Sequence, residues 1–260
     1  TSYVLMAQEN DSAVPEGLSA TATFWALGPA QTLVTLELED GEEAPSSSLV
    51  AHIYSNSASG GGGIRFFLAP IDVSGGGTSA KIIDRSYSEL VAFDGHINVY
   101  TGGANIRVAQ GDIGANADGQ TGEGLDLVEN GAITEYALSA NANDGAIADG
   151  VDGTARFIEL TSTQTLVQLQ LEDGPTGALL THPAHIHTNS VSEGGDIAIY
   201  LSPIDGNGNS INDGASSKIV DRPYDELVAF DGHINIHQSH GNLEYIIAQG
   251  NIGANSDGGE

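Results

Sequence analysis

The sequence predicts an all-β protein, built as two tandem antiparallel β-sandwich or barrel domains of about seven strands each. Two observations carry this expectation. The 260-residue chain repeats itself once, and within each copy apolar residues recur with a period of two rather than 3.6. Clusters of Gly, Asn, Asp and Pro separate the apolar runs and mark turns.

The repeat is read directly from the letters. QTLV and LEDG within residues 31–41 recur within 164–174, an offset of 133, and YVLMAQ at Tyr3–Gln8 aligns with YALSAN at Tyr136–Asn141. ELVAFDGHIN at Glu89–Asn98 returns letter for letter at Glu226–Asn235, and AQGDIGAN at 109–116 returns as AQGNIGAN at 248–255. The offset grows from 133 to 137 and then 139, so the length differences fall in two loops. One lies between Asp72 and Lys81 and the other in the hairpin after Tyr100, where solvated backbone tolerates insertion. A Gly-, Asp- and Glu-rich stretch separates the copies. The expected domains are therefore 1–118 and 132–260, with 119–131 as the linker.

Within each copy, Val34, Leu36 and Leu38 alternate with Thr35, Glu37 and Glu39, as Val167, Leu169 and Leu171 alternate with Gln168, Gln170 and Glu172. This is the pattern of a half-buried strand. Similar runs near 3–8, 19–27, 49–55, 63–68, 90–100 and 106–111 complete the first domain. A helical turn is expected near Tyr224, with Pro223 at its first helical position and Tyr224 and Leu227 on one face.

Composition narrows the partners. Against 7 basic residues stand 35 acidic ones, a formal charge of −28 that repels nucleic-acid phosphates and anionic membranes and attracts cations. No run of 18 apolar residues is present to span a membrane, and there is no cysteine to form a disulfide or act as a nucleophile. The start at Thr1 fits removal of a signal peptide, which leads to the expectation of a secreted or cell-surface protein.

HPAHIH at 182–187 and FDGHINIH at 230–237 resemble the paired signatures of bacterial chordin-type (CHRD) domains, and the resemblance covers both repeats nearly end to end. It implies an extracellular β-domain and names no reaction. The chain departs from the family pattern at His96 and His233, where Tyr is usual, and at Tyr54 and Tyr100, where His is usual.

Histidine carries the chemical promise. Of 8 in the chain, His182, His185, His187, His233, His237 and His240 lie in the second repeat. Strand alternation sets Ala184 and Ile186 on one face and His185 and His187 on the other, and sets Ile234 and Ile236 opposite His233, Asn235 and His237. If the two strands are neighbours, His185, His187 and His237 offer three imidazoles to copper or zinc, with His233 or His182 as a fourth ligand or outer partner. This pattern is similar to the copper site of copper-zinc superoxide dismutase. The first repeat replaces His187 by Tyr54 and His237 by Tyr100 together, which points to paired neighbours. The alternative is a row of imidazoles on a polar sheet face. A calcium loop at Asp205, Asn207, Asn209 and Asp213 is the weaker candidate, since Ser210 occupies the sharp-turn position and no bidentate Glu closes the loop.

The motifs of other enzymes are missing: no GxSxG elbow is present and no phosphate-binding glycine loop with its Lys. A dismutase of this charge would repel its anionic substrate. The expected function is an extracellular, non-enzymatic protein with a structural, adhesive or self-assembling role and a metal site in repeat two. Self-association would run through β-edges, beginning with Tyr3–Gln8. The alternative is a copper or zinc sequestration or carrier protein, and behind it a copper-dependent enzyme of dismutase type.

Overall fold

The structure, a computed structural model, describes residues 1–9, 17–39, 48–101, 106–121, 125–141, 150–172, 176–207 and 214–256. The chain divides into two compact units, Thr1–Leu125 and Asp126–Glu260. Strands dominate both.

The first unit runs β1 (Ser2–Ala7), β2 (Ala20–Gly28), β3 (Gln31–Leu38), β4 (Ser48–Ser55), β5 (Ile64–Phe67), β6 (Ile71–Asp72), β7 (Thr78–Ile83), α1 (Tyr87–Val91), β8 (Asp94–Thr101) and β9 (Arg107–Gly114). Its antiparallel pairings follow the order β1–β2–β3–β7–β6–β4–β8–β9 and return to β1, which closes a barrel. Strand β5 adds to β4 outside that ring. Alternation fills the interior: Phe24, Leu36, Leu49, Ile53 and Ile97 are inside one apolar cluster.

Three details differ from the sequence expectation. The strands exceed seven because the two-residue β6 and the TSAKII strand β7 lack the length or the clean alternation that marks a strand in sequence. The run expected at 90–100 starts inside α1, which is capped by Ser86: its hydroxyl accepts from the Glu89 N–H while the Glu89 carboxylate accepts from the Ser86 N–H. Strand β1 is not a free terminal strand, since Ser2–Leu5 pair with β2 and Met6 and Ala7 pair with β9. Its Tyr3 and Leu5 point inward, leaving Val4 and Met6 exposed.

The second unit runs β10 (Ile133–Ala140), β11 (Gly153–Glu159), β12 (Thr165–Leu171), β13 (Thr176–His182), β14 (Ala184–Thr188), β15 (Ile197–Tyr200), β16 (Ile204–Asn207), β17 (Ala215–Val220), α2 (Tyr224–Val228), β18 (Asp231–Ser239) and β19 (Asn242–Gly253). Antiparallel neighbours run β14–β18–β19–β10–β11–β12–β17, with β15 beside β14 and β13 beside β16. Where the first unit has the single strand β4, this one has β13 and β14, divided at Pro183. Pro183 has no N–H for the ladder, although its carbonyl still accepts from the His237 N–H at 2.8 Å. Pro223 is the N-cap of α2 with ψ 145° rather than its first helical residue, because the turn begins one position later. Tyr224 and Leu227 do share the face that packs on the core.

Part of the segment expected as linker is tied down. Gln120 exchanges two backbone hydrogen bonds with Ser2, each 2.9 Å, and the Val128 N–H donates to the Leu160 carbonyl at 3.0 Å.

Candidate metal site

The site grows from the register of two neighbouring strands. In the β14–β18 ladder His185 lies opposite Asn235, Ile186 opposite Ile234 and His187 opposite His233. Ala184, Ile186, Ile234 and Ile236 are sealed in the apolar core, so alternation turns the histidines to the other face. The β18–β19 ladder shifts register between Ile236 and His237, an irregularity of the kind that re-aims a side chain. The result is a group of three: His185, His187 and His237 each present one ring nitrogen, and these nitrogens all lie within 4.8 Å of one another. This triad can hold a metal ion.

The rings are packed rather than splayed. His185 and His237 have centroids 5.1 Å apart, and His187 stands 5.8 Å from His185 and 6.2 Å from His237. The Tyr200 ring meets His185 edge-on at 5.0 Å. The polar-face alternative takes the imidazoles as exposed or as hydrogen-bonded between strands, and its exposed form would leave them solvated. Instead His185 is 4% exposed and His237 6%, with His187 half-buried.

Hydrogen bonds orient the rings. The His187 Nδ1–H donates to the Gly195 carbonyl at 3.0 Å and the His237 Nδ1–H to the Leu243 carbonyl at 2.6 Å. With Nδ1 protonated in each neutral ring, Nε2 carries a lone pair. Those Nε2 atoms, together with Nδ1 of His185, are buried and have no hydrogen-bond partner. Buried polar atoms are ordinarily paired, and a metal-binding His ordinarily donates its other N–H to a carbonyl or carboxylate. Both conditions describe a ligand set.

Electrostatics keep the set neutral. Burial, reinforced by the neighbouring His237, His187 and His240, lowers the pKa of His185 to about 3. His237 is lowered to about 4, by burial first and against the Leu243 hydrogen bond, and burial also lowers His187. Proton competition for the set, which for ordinary imidazoles begins near a pH of about 6.5, therefore moves to lower pH.

The other expected ligands sit beside the triad. His233 stacks on His187 at 5.1 Å and donates its Nδ1–H to the Asn189 carbonyl at 2.8 Å. His182 donates its Nδ1–H to the backbone carbonyl of His237 at 3.1 Å, and burial lowers its pKa. Neither is among the three rings whose nitrogens lie within 4.8 Å of one another, although His182 Nε2 is also buried without a hydrogen-bond partner. Sequence reasoning gives His240 no role, yet its charge bears on both His185 and His237. It lies in the β18–β19 turn, where no strand period indicates direction. Of the calcium candidates, Asn209 and Asp213 lie outside the described residues, as does the side chain of Asn207; Asp205 falls in β16. Asp112 and Asn116 serve as turn ties, accepting from the Ala58 N–H and donating to Asp94 respectively. Among the described residues, no helix is long and apolar enough to cross a membrane. Comparison of the chain with family models, with curated proteins and with solved structures finds no match.

Proposed function

We propose that this is an extracellular, non-enzymatic metal-binding protein whose second unit sequesters or carries one copper or zinc ion on His185, His187 and His237. The observation that carries the reading is that His185, His187 and His237 each bring a ring nitrogen within 4.8 Å of the others, and that each of these rings has a buried nitrogen without a hydrogen-bond partner. Around an ion with metal–nitrogen bonds of about 2.0–2.1 Å, ligand nitrogens stand about 3.4 Å apart, so the rings close in by less than about an ångström each. Little ordering entropy is lost, because Gly195 and Leu243 already hold two of them. The high negative charge of the chain raises the local concentration of cations at low salt. The resemblance of HPAHIH and FDGHINIH to chordin-type signatures supports an extracellular setting. A structural role for the tandem units is compatible, since a bound ion would stabilise the second unit by mass action.

Metal analysis of the full chain after equilibration with copper or zinc and removal of free ion tests this. One ion per chain is expected, lost when His187 and His237 are both changed to Tyr. Failure to retain either metal at micromolar concentration would overturn the proposal.

A further inference from the structure

Resting on that metal-site reading, we propose that the triad selects its ion by charge and coordination number: it is a site for monovalent copper, Cu(I), held by three neutral imidazoles. The ligand group contains histidines alone, with no carboxylate among its members. The Asp196 carboxylate, whose charge is felt at His187, is solvent-exposed and outside the group. A divalent ion here would keep both charges uncompensated at its ligands. Because the cost of removing an ion from water rises with the square of its charge, a low-dielectric site with neutral donors discriminates against the divalent state.

Coordination number points the same way. Zinc in proteins takes four ligands and fills any vacancy with water. Here the ligand nitrogens are buried, and the Tyr200 ring stands against His185. Cuprous ion is stable with three donors and needs no such water. His182 and His233 lie outside the group of three rings whose nitrogens stand within 4.8 Å of one another, although each also donates its Nδ1–H to a carbonyl. The long-range field of the acidic chain draws cations of either charge, so the choice is made locally.

The experiment compares ions on the full chain without air. Competition against bicinchoninate reads Cu(I) affinity, competition against a zinc dye reads Zn(II), and redox titration of the copper-loaded protein reads the Cu(II)/Cu(I) balance. Cu(I) is expected to bind at least ~100-fold more tightly than Zn(II). Relative to water the site should also favour Cu(I) over Cu(II) by ~100-fold, raising the bound potential by ~120 mV above the aquo couple. Zinc held as tightly as Cu(I), or a potential at or below the aquo value, overturns the cuprous assignment while leaving metal binding in place. No retention of any of the three ions overturns the underlying reading instead. His240→Ala supplies the second arm. It should leave Cu(I) affinity unchanged, and a large loss would mean a four-ligand site and would overturn the three-donor proposal.

Discussion

The two units carry the same outward cluster in two chemical versions. In the second, His187 faces His233 across the β14–β18 ladder; in the first, Tyr54 faces His96 across β4–β8, their rings stacked at 5.2 Å. In the first cluster hydrogen bonds link the amides to the two tyrosines. Gln110 donates to Asn98 Oδ1 at 2.7 Å, Asn98 donates to the Tyr100 hydroxyl at 3.1 Å, and Tyr54 is hydrogen-bonded to Tyr100. Burial and that Tyr100 bond raise the Tyr54 pKa, keeping the phenol protonated and a poor ligand. In the second cluster Asn235 Oδ1 and the three triad nitrogens have no such partners. One backbone register therefore supports either a set of hydrogen bonds between amides and tyrosines or a group of imidazole lone pairs. Two positions, occupied by Tyr or by His, choose between them.

Exchanging those positions gives the largest expected effect. In the full chain, His187→Tyr with His237→Tyr should take the metal content from one ion to none, while Tyr54→His with Tyr100→His in the wild-type background should add a second, weaker site. Metal analysis reads both. If the first exchange leaves the ion in place, the ligands lie elsewhere and the comparison fails.

Next in size is the response of the metal-free chain to acid. His185 and His237 titrate at about 3 and about 4 when folded and near the ordinary 6.5 when unfolded. Between those values the unfolded state binds protons that the folded state refuses, so the second unit loses stability progressively as pH falls below about 6.5. Hydrogen exchange resolved by residue should show this in β14 and β18, and the His187→Tyr, His237→Tyr chain should show less of it. An equal acid response in both chains would contradict the burial of the triad.

A smaller effect is expected at the glycines that support the loops. A Cβ at Gly195 would stand 2.2 Å from the Thr188 carbonyl oxygen, and one at Gly62 would stand 2.0 Å from that of Ser55. Gly195→Ala and Gly62→Ala should each destabilise by about 1–3 kcal/mol. Only Gly195→Ala should also weaken metal binding, by about 10-fold or more, because it moves the carbonyl that orients His187. Denaturant unfolding and metal competition separate the two losses. The smallest difference concerns the paired asparagines: in metal-free protein Asn98→Ala should cost about 1–3 kcal/mol by stranding its partners, and Asn235→Ala less, since its Oδ1 has none. Equal losses would mean that the two networks do not differ as described.

Much of the site is legible in the amino-acid sequence. The His-x-His spacing puts His185 and His187 on one face, and the joint change of two histidines to Tyr54 and Tyr100 marks His187 and His237 as neighbours. The burial of these rings is not legible, since alternation distinguishes the faces of a strand but not what covers them. Strand β7 and the break at Pro183 escape a reading by period for a related reason. Their roles depend on which strands pair beside them.

The β class, the twofold repetition and the face each histidine occupies follow from the order of residues alone, because successive Cβ atoms alternate along any extended chain whatever surrounds it. Folding in three dimensions adds the rest: β14 comes to lie beside β18, Gly195 and Leu243 hold two tautomers, and the lone pairs converge away from water. Those features join residues as much as about fifty positions apart, and their geometry comes from register, bulges and packing, which no local period encodes.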